Sequence, residues 1–114
     1  MDYFRIWLFS LLTWKSIDSL ISINGYGALI SNSQFVLACE INSFDGQATW
    51  SSTYLLSNTC NSKGFCTIFA KENLKFSGNS SGIFILMNPL LEKDDQIKWT
   101  CFYGLTNTSY TVDI

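Results

Sequence analysis

The sequence predicts an all-β protein built from two packed antiparallel sheets, and three observations carry that expectation. Short runs rich in β-branched and aromatic residues alternate with Gly, Asn and Ser clusters roughly every ten residues. Downstream of the first 19 residues no stretch keeps a helical period for three turns. Four cysteines, Cys39, Cys60, Cys66 and Cys101, form an even set in a short chain, which points to disulfides. With no helix to cover an apolar sheet face, a second sheet is the way to bury it.

The elements follow in order. The opening stretch "MDYFRIWLFSLLTWKSIDSL" sets Arg5 before the apolar run at residues 6–14, with small Ser16 and Ser19 after it. That is the order of a secretory signal peptide, and nine residues fall far short of the ~20 needed to span a bilayer. We expect residues 1–19 to be a cleaved signal peptide and residues 20–114 to be one domain starting near Leu20 or Ile21. "SINGYGALIS" reads as a first strand bent or bulged at its two glycines. In "SQFVLACEI", Phe35, Leu37, Cys39 and Ile41 alternate onto one apolar face, the core face.

Asp45-Gly46 signals a turn, and "ATWSSTYLL" resumes the extended pattern with Trp50 near its start. The chain then reverses at Lys63-Gly64, between Cys60 and Cys66. A polar segment with a loop at residues 77–82 leads into "IFILM", a strand of strong β bias that ends before Pro89. "IKWTCFYG" places Ile97, Trp99, Cys101 and Tyr103 on one face, a loop is expected at residues 104–109, and "SYTVDI" closes the chain as a last strand.

Composition narrows function. At 114 residues the chain suits one domain of roughly 100 residues. Hydrophobic residues at 47 % and charged residues at 14 % argue against disorder. A net charge of -2 and seven scattered Lys and Arg give neither a nucleic-acid footprint nor a basic membrane patch. Downstream of the leader no apolar run is long enough to span a membrane. Histidine is absent, so no Ser-His or Cys-His nucleophile can form, and no Gly-rich phosphate loop opens a helix. The cysteine steps of 21, 6 and 35 residues do not match the close pairs of a zinc site. Asp94 and Asp95, neighbours on an extended chain, point to opposite faces and read as solvated corner acids, not as a calcium site. No enzyme, metal or cofactor is expected.

Cys39, Trp50 eleven positions on, and Cys101, with alternation on the strands around both cysteines, resemble the immunoglobulin superfamily, as a single variable-like domain. The resemblance spans roughly residues 24–114 and extends to "LLEKDDQIKWTCFYG", which is similar to the family's D-x-G-x-Y-x-C signature. Asp95 takes the acid position and fixes the turn, Trp99 takes the tyrosine position, and Cys101 the cysteine. Ile97 stands in place of the glycine, and the indole of Trp99, a core residue that fills the volume and reaches an acceptor, can only donate through its single N–H, so this corner must be held by something other than the usual tyrosine hydroxyl.

The resemblance implies a core disulfide Cys39–Cys101 with Trp50 packed on it, and leaves Cys60–Cys66 as a local bond. By loop entropy the local bond contributes about 2 kcal/mol and the core bond about 4 kcal/mol. Asn79 in "NSS" and Asn107 in "NTS" are N-glycosylation sequons on expected loops, and Asn58 in "NTC" is a rarer form. The implied function is a non-catalytic extracellular module that binds a protein partner in adhesion, receptor or immune recognition, either as it stands or as a fragment of a longer receptor. A small secreted toxin-like effector is the alternative. The loops at residues 42–47, 60–66 and 104–109 are the candidate contacts.

Overall fold

A computed structural model describes residues 20–53 and 56–114. The leader expected at residues 1–19 lies outside the described residues. The described residues form nine strands: β1 Ile21–Gly27, β2 Phe35–Ile41, β3 Gln47–Ser52, β4 Ser57–Asn61, β5 Ala70–Lys71, β6 Leu74–Asn79, β7 Gly82–Met87, β8 Lys98–Tyr103 and β9 Thr106–Thr111. One short 3-10 helix, Glu92–Asp94, precedes β8.

All pairings are antiparallel. The strands form a five-stranded sheet in the order β1-β2-β7-β6-β5 and a four-stranded sheet in the order β4-β3-β8-β9. Phe35, Leu37, Cys39 and Ile41 of β2 and Ile83, Ile85 and Met87 of β7 supply the inner face of the first sheet, all buried. Trp50, Trp99 and Cys101 supply the second, so period-two alternation builds one shared core.

A disulfide between Cys39 in β2 and Cys101 in β8 ties the two sheets, with Cα atoms 6.4 Å apart. Trp50 pairs in register with Cys101 and is 0 % exposed. Its ring meets Trp99 edge-on at 6.2 Å between centroids and 85° between planes, and Phe76 meets Trp99 at 6.2 Å and 63°. Edge-to-face contacts place positive ring edges on negative ring faces, which favours this geometry over flat stacking.

Four expectations need correction. β1 carries no bulge: its register with β2 runs unbroken from Ile21↔Ile41 to Gly27↔Phe35. Gly25 serves close approach instead, since a Cβ there would sit 2.4 Å from Phe35 Cζ and 2.7 Å from Tyr110 Oη. Residues 77–82 are not a loop, because β6 runs to Asn79 and only Ser80-Ser81 turn; Asn79 Oδ1 accepts from Ser81 N at 2.7 Å and tightens that turn. Residues 104–109 are not a loop either. Gly104, at φ 59°, supplies the positive φ of a two-residue type II′ turn with Leu105, and β9 resumes at Thr106.

The fourth correction concerns the corner before β8. Asp95 is exposed, whereas Asp94 is 5 % exposed and turns inward, so the two are not both solvated acids. Asp94 Oδ2 accepts from Leu91 N at 2.8 Å and from Asn73 Nδ2 at 2.8 Å. The 3-10 turn rotates Asp94 off the extended phase that the spacing alone implies, and Asn73 from the β5–β6 turn meets it. Asp95 binds the chain end instead, accepting from Ile114 N at 2.9 Å.

Candidate functional site

At one end of the sandwich three loops distant in sequence are tied together. The β2–β3 turn, the Cys60–Cys66 loop and the β8–β9 turn meet there through two hydrogen bonds. Tyr103 Oη donates to Asp45 O at 3.1 Å, and Ser62 N donates to Gly46 O at 2.9 Å. Phe44, buried under the β2–β3 turn, packs edge-on against Tyr103 at 5.4 Å between centroids, so the turn is pinned from below as well.

The second loop is rigid by its own chemistry. Cys60 and Cys66 are joined by a disulfide and face each other across an isolated bridge, with Cα atoms 4.0 Å apart. Inside it, Asn61 Oδ1 accepts from Lys63 N and from Phe65 N, each at 3.0 Å, so a single side chain satisfies two loop amides. Both cysteines and Asn58 behind them are buried, which fixes the base of the loop while Phe65 stands 68 % exposed.

The third loop is reduced to Gly104 and Leu105, and Leu105 is fully exposed. A type II′ turn leaves its second side chain nowhere to fold back, so the leucine projects into solvent. Two apolar side chains, Leu105 and Phe65, are thereby held at this end by turns that lose little entropy when a partner arrives. Asp45 and Lys63, one of each sign, line a shallow cavity of about 340 Å³ with Gln47 and Asn61.

Of the residues singled out from sequence, Cys39, Trp50, Trp99 and Cys101 share the core and take no part in this surface. Asn79 is the last residue of β6 and Asn107 the second of β9, both exposed and neither in a loop. Asn58 is 1 % exposed, its Nδ2 donating to Ile68 O at 2.9 Å and its Oδ1 accepting from Ile68 N at 2.8 Å. The fold has no room for a glycan on that amide. The tether between Tyr103 and Asp45 has no sequence signal, because it joins positions 58 apart through a hydroxyl and a carbonyl.

Elsewhere, an open groove of about 480 Å³ runs along the outside of the five-stranded sheet past Tyr26, Val36, Ala38, Glu40 and Phe84. Tyr26 Oη donates to Glu40 there, and this bond, with lesser help from desolvation and the carboxylate's charge, holds the phenol above its ordinary pKa. Among the described residues no group of three or more His, Cys, Asp or Glu is placed to hold a metal ion. Among them, too, no helix is long and apolar enough to cross a membrane. Compared with protein-family models, curated proteins and solved structures, the chain matches none.

Proposed function

We propose that this chain is a secreted or cell-surface recognition module of immunoglobulin-like type that binds a protein partner through the three-loop end of its sandwich. The observation that carries the reading is the mutual tethering of that end, where Tyr103 and Ser62 lock two loops to the β2–β3 turn and leave Leu105 and Phe65 outside. Apolar side chains on a rigid base with a polar rim are what a protein interface uses at its centre. Sites that do chemistry would instead bring titratable groups together in a cleft.

The immunoglobulin-like reading draws on three features. The disulfide joins strands of opposite sheets with a buried tryptophan on it, and the order β1-β2-β7-β6 opposite β4-β3-β8-β9 is similar to A-B-E-D opposite C′-C-F-G. A variable-type domain would add a further strand beside C′, whereas here β5 pairs with β6 in the other sheet, so the variable-like expectation is narrowed to the strands β1–β4 and β6–β9. Disulfides persist in oxidising compartments, which supports an extracellular setting.

The test is capture with immobilised, disulfide-bonded chain from the medium of the producing cells, run beside Leu105→Asp and Phe65→Asp. A protein retained by wild type and lost by both variants, with unchanged far-ultraviolet circular dichroism, supports the reading. Retention by all three removes the loop end as the contact.

A further inference from the structure

We infer that Asn107 carries an N-linked glycan whose first N-acetylglucosamine lies on the ring of Phe102, so that a sugar and not a protein partner covers this ring on the outer face of the four-stranded sheet. The inference rests on the secretory reading above.

The register places the two residues opposite one another: β8 and β9 pair Phe102 with Asn107. A two-residue turn makes Tyr103 and Thr106 the pair that exchanges hydrogen bonds, so the next pair outward, Phe102 and Asn107, is the kind whose side chains lie closer. Directly opposed Cβ atoms stand about 4.5–5.5 Å apart. A sugar joined to the amide of Asn107 therefore starts within reach of the ring.

The surroundings suit a sugar. Phe102 is 42 % exposed, and its neighbour across β3 is Thr49. The hydroxyls around it are already paired with each other, Thr49 with Thr59 at 2.8 Å and Thr100 with Ser109 at 2.8 Å. One aromatic ring in a field of satisfied hydroxyls lacks the apolar cluster of a protein hot spot. N-acetylglucosamine offers the complement, an apolar C–H face for the electron-rich ring and a polar rim for the hydroxyls.

The sequon Asn107-Thr108-Ser109 is intact. Transfer from a lipid-linked pyrophosphate oligosaccharide forms the bond from Asn107 Nδ2 to sugar C1 and breaks the C1–O bond to phosphate. The amide proton leaves with the departing lipid pyrophosphate. Asn79 is the internal control, an exposed sequon whose cross-strand partner is Gly82, so that no ring stands directly opposite it.

The test uses the full chain secreted from a cultured eukaryotic line with mannose trimming blocked, as Asn79→Gln, Asn107→Gln and the double variant Asn79→Gln with Phe102→Ala. Mass spectrometry reads occupancy, and thermal unfolding follows before and after two enzymes. In N79Q, full removal by peptide N-glycosidase lowers Tm by about 3 °C, a fraction of the shift that a small domain shows per kcal/mol. Trimming by endoglycosidase H, which leaves one N-acetylglucosamine, keeps Tm in place. In N107Q and in the F102A background, full removal leaves Tm unchanged; the latter also controls for the aspartate that the enzyme creates. An equal fall with and without Phe102, a full fall after endoglycosidase H, or no fall in N79Q overturns the inference. Asn107 bare while Asn79 is occupied overturns it too, whereas both bare sinks the secretory reading itself.

Discussion

Asn73 Nδ2 donates to the buried carboxylate of Asp94 at 2.8 Å and to Pro89 O at 2.9 Å, joining the β5–β6 turn to the corner that precedes β8. With the bond from Leu91 N at 2.8 Å, Asp94 does locally and across 21 positions what a tyrosine hydroxyl would do from β8. Trp99 is thereby free to be wholly a packing residue.

Removing that carboxylate leaves the Leu91 amide and one N–H of Asn73 without their acceptor at a side chain only 5 % exposed. Asp94→Ala is expected to destabilise the fold by about 2–4 kcal/mol, the loss of charge-assisted bonds together with unpaired amides. Asp95→Ala, at an exposed acid, should cost under about 1 kcal/mol. Urea unfolding monitored by tryptophan fluorescence separates the two, and equal midpoints would reassign the corner to Asp95.

The inward-facing half of this fold was legible and the outward-facing half was not. Cys39, Trp50 and Cys101 announce themselves because apolar alternation marks a core face whatever the neighbours do. Ser77, Thr106 and Asn107 read as loop because exposed strand positions carry the same polar residues that loops carry, and two-residue turns leave little signal. The choice between Asp94 and Asp95 turns on the phase of a single 3-10 turn and on Asn73, a contact no local pattern encodes. The loop end was legible as three separate loops; the Tyr103 and Ser62 bonds that gather them arise only after the sheets pack.

The two disulfides should differ in what they stabilise. Replacing both Cys60 and Cys66 by Ser opens a loop closed over six positions and is expected to cost about 2 kcal/mol. Replacing Cys39 and Cys101 opens one closed over 62 positions and costs about 4 kcal/mol by the same entropy, with cavity loss added. Urea midpoints give the order. Hydrogen exchange should show Lys63 and Phe65 amides losing protection only in the first variant, because Asn61 then no longer holds a fixed loop.

Tyr26 sets a pH signature outside the core. Its hydrogen bond to Glu40 favours the neutral phenol and raises its pKa from 10.0. A raised folded pKa means that this bond's contribution is fully present below the unfolded value and is lost as pH rises through the folded one. Phenolate absorbance should therefore show one tyrosine ionising late, and Glu40→Gln should return it toward the ordinary range. Superimposable titrations would remove the bond from the solution structure.

Placing a tyrosine at position 99 should harm this protein. Trp99 is 3 % exposed and packs on both Trp50 and Phe76, each with its centroid 6.2 Å away. Trp99→Tyr removes indole volume packed on the two rings and introduces a hydroxyl beside a corner whose carboxylate is already bonded by Leu91 and Asn73. A partial cavity and a poorly satisfied hydroxyl together cost about 1–3 kcal/mol. Unfolding midpoints measure that loss, and near-ultraviolet circular dichroism should lose the signal of the crossed Trp50–Trp99 pair. A variant as stable as wild type would mean that a tyrosine finds a corner acceptor after all, and that Asp94 shares the corner instead of holding it.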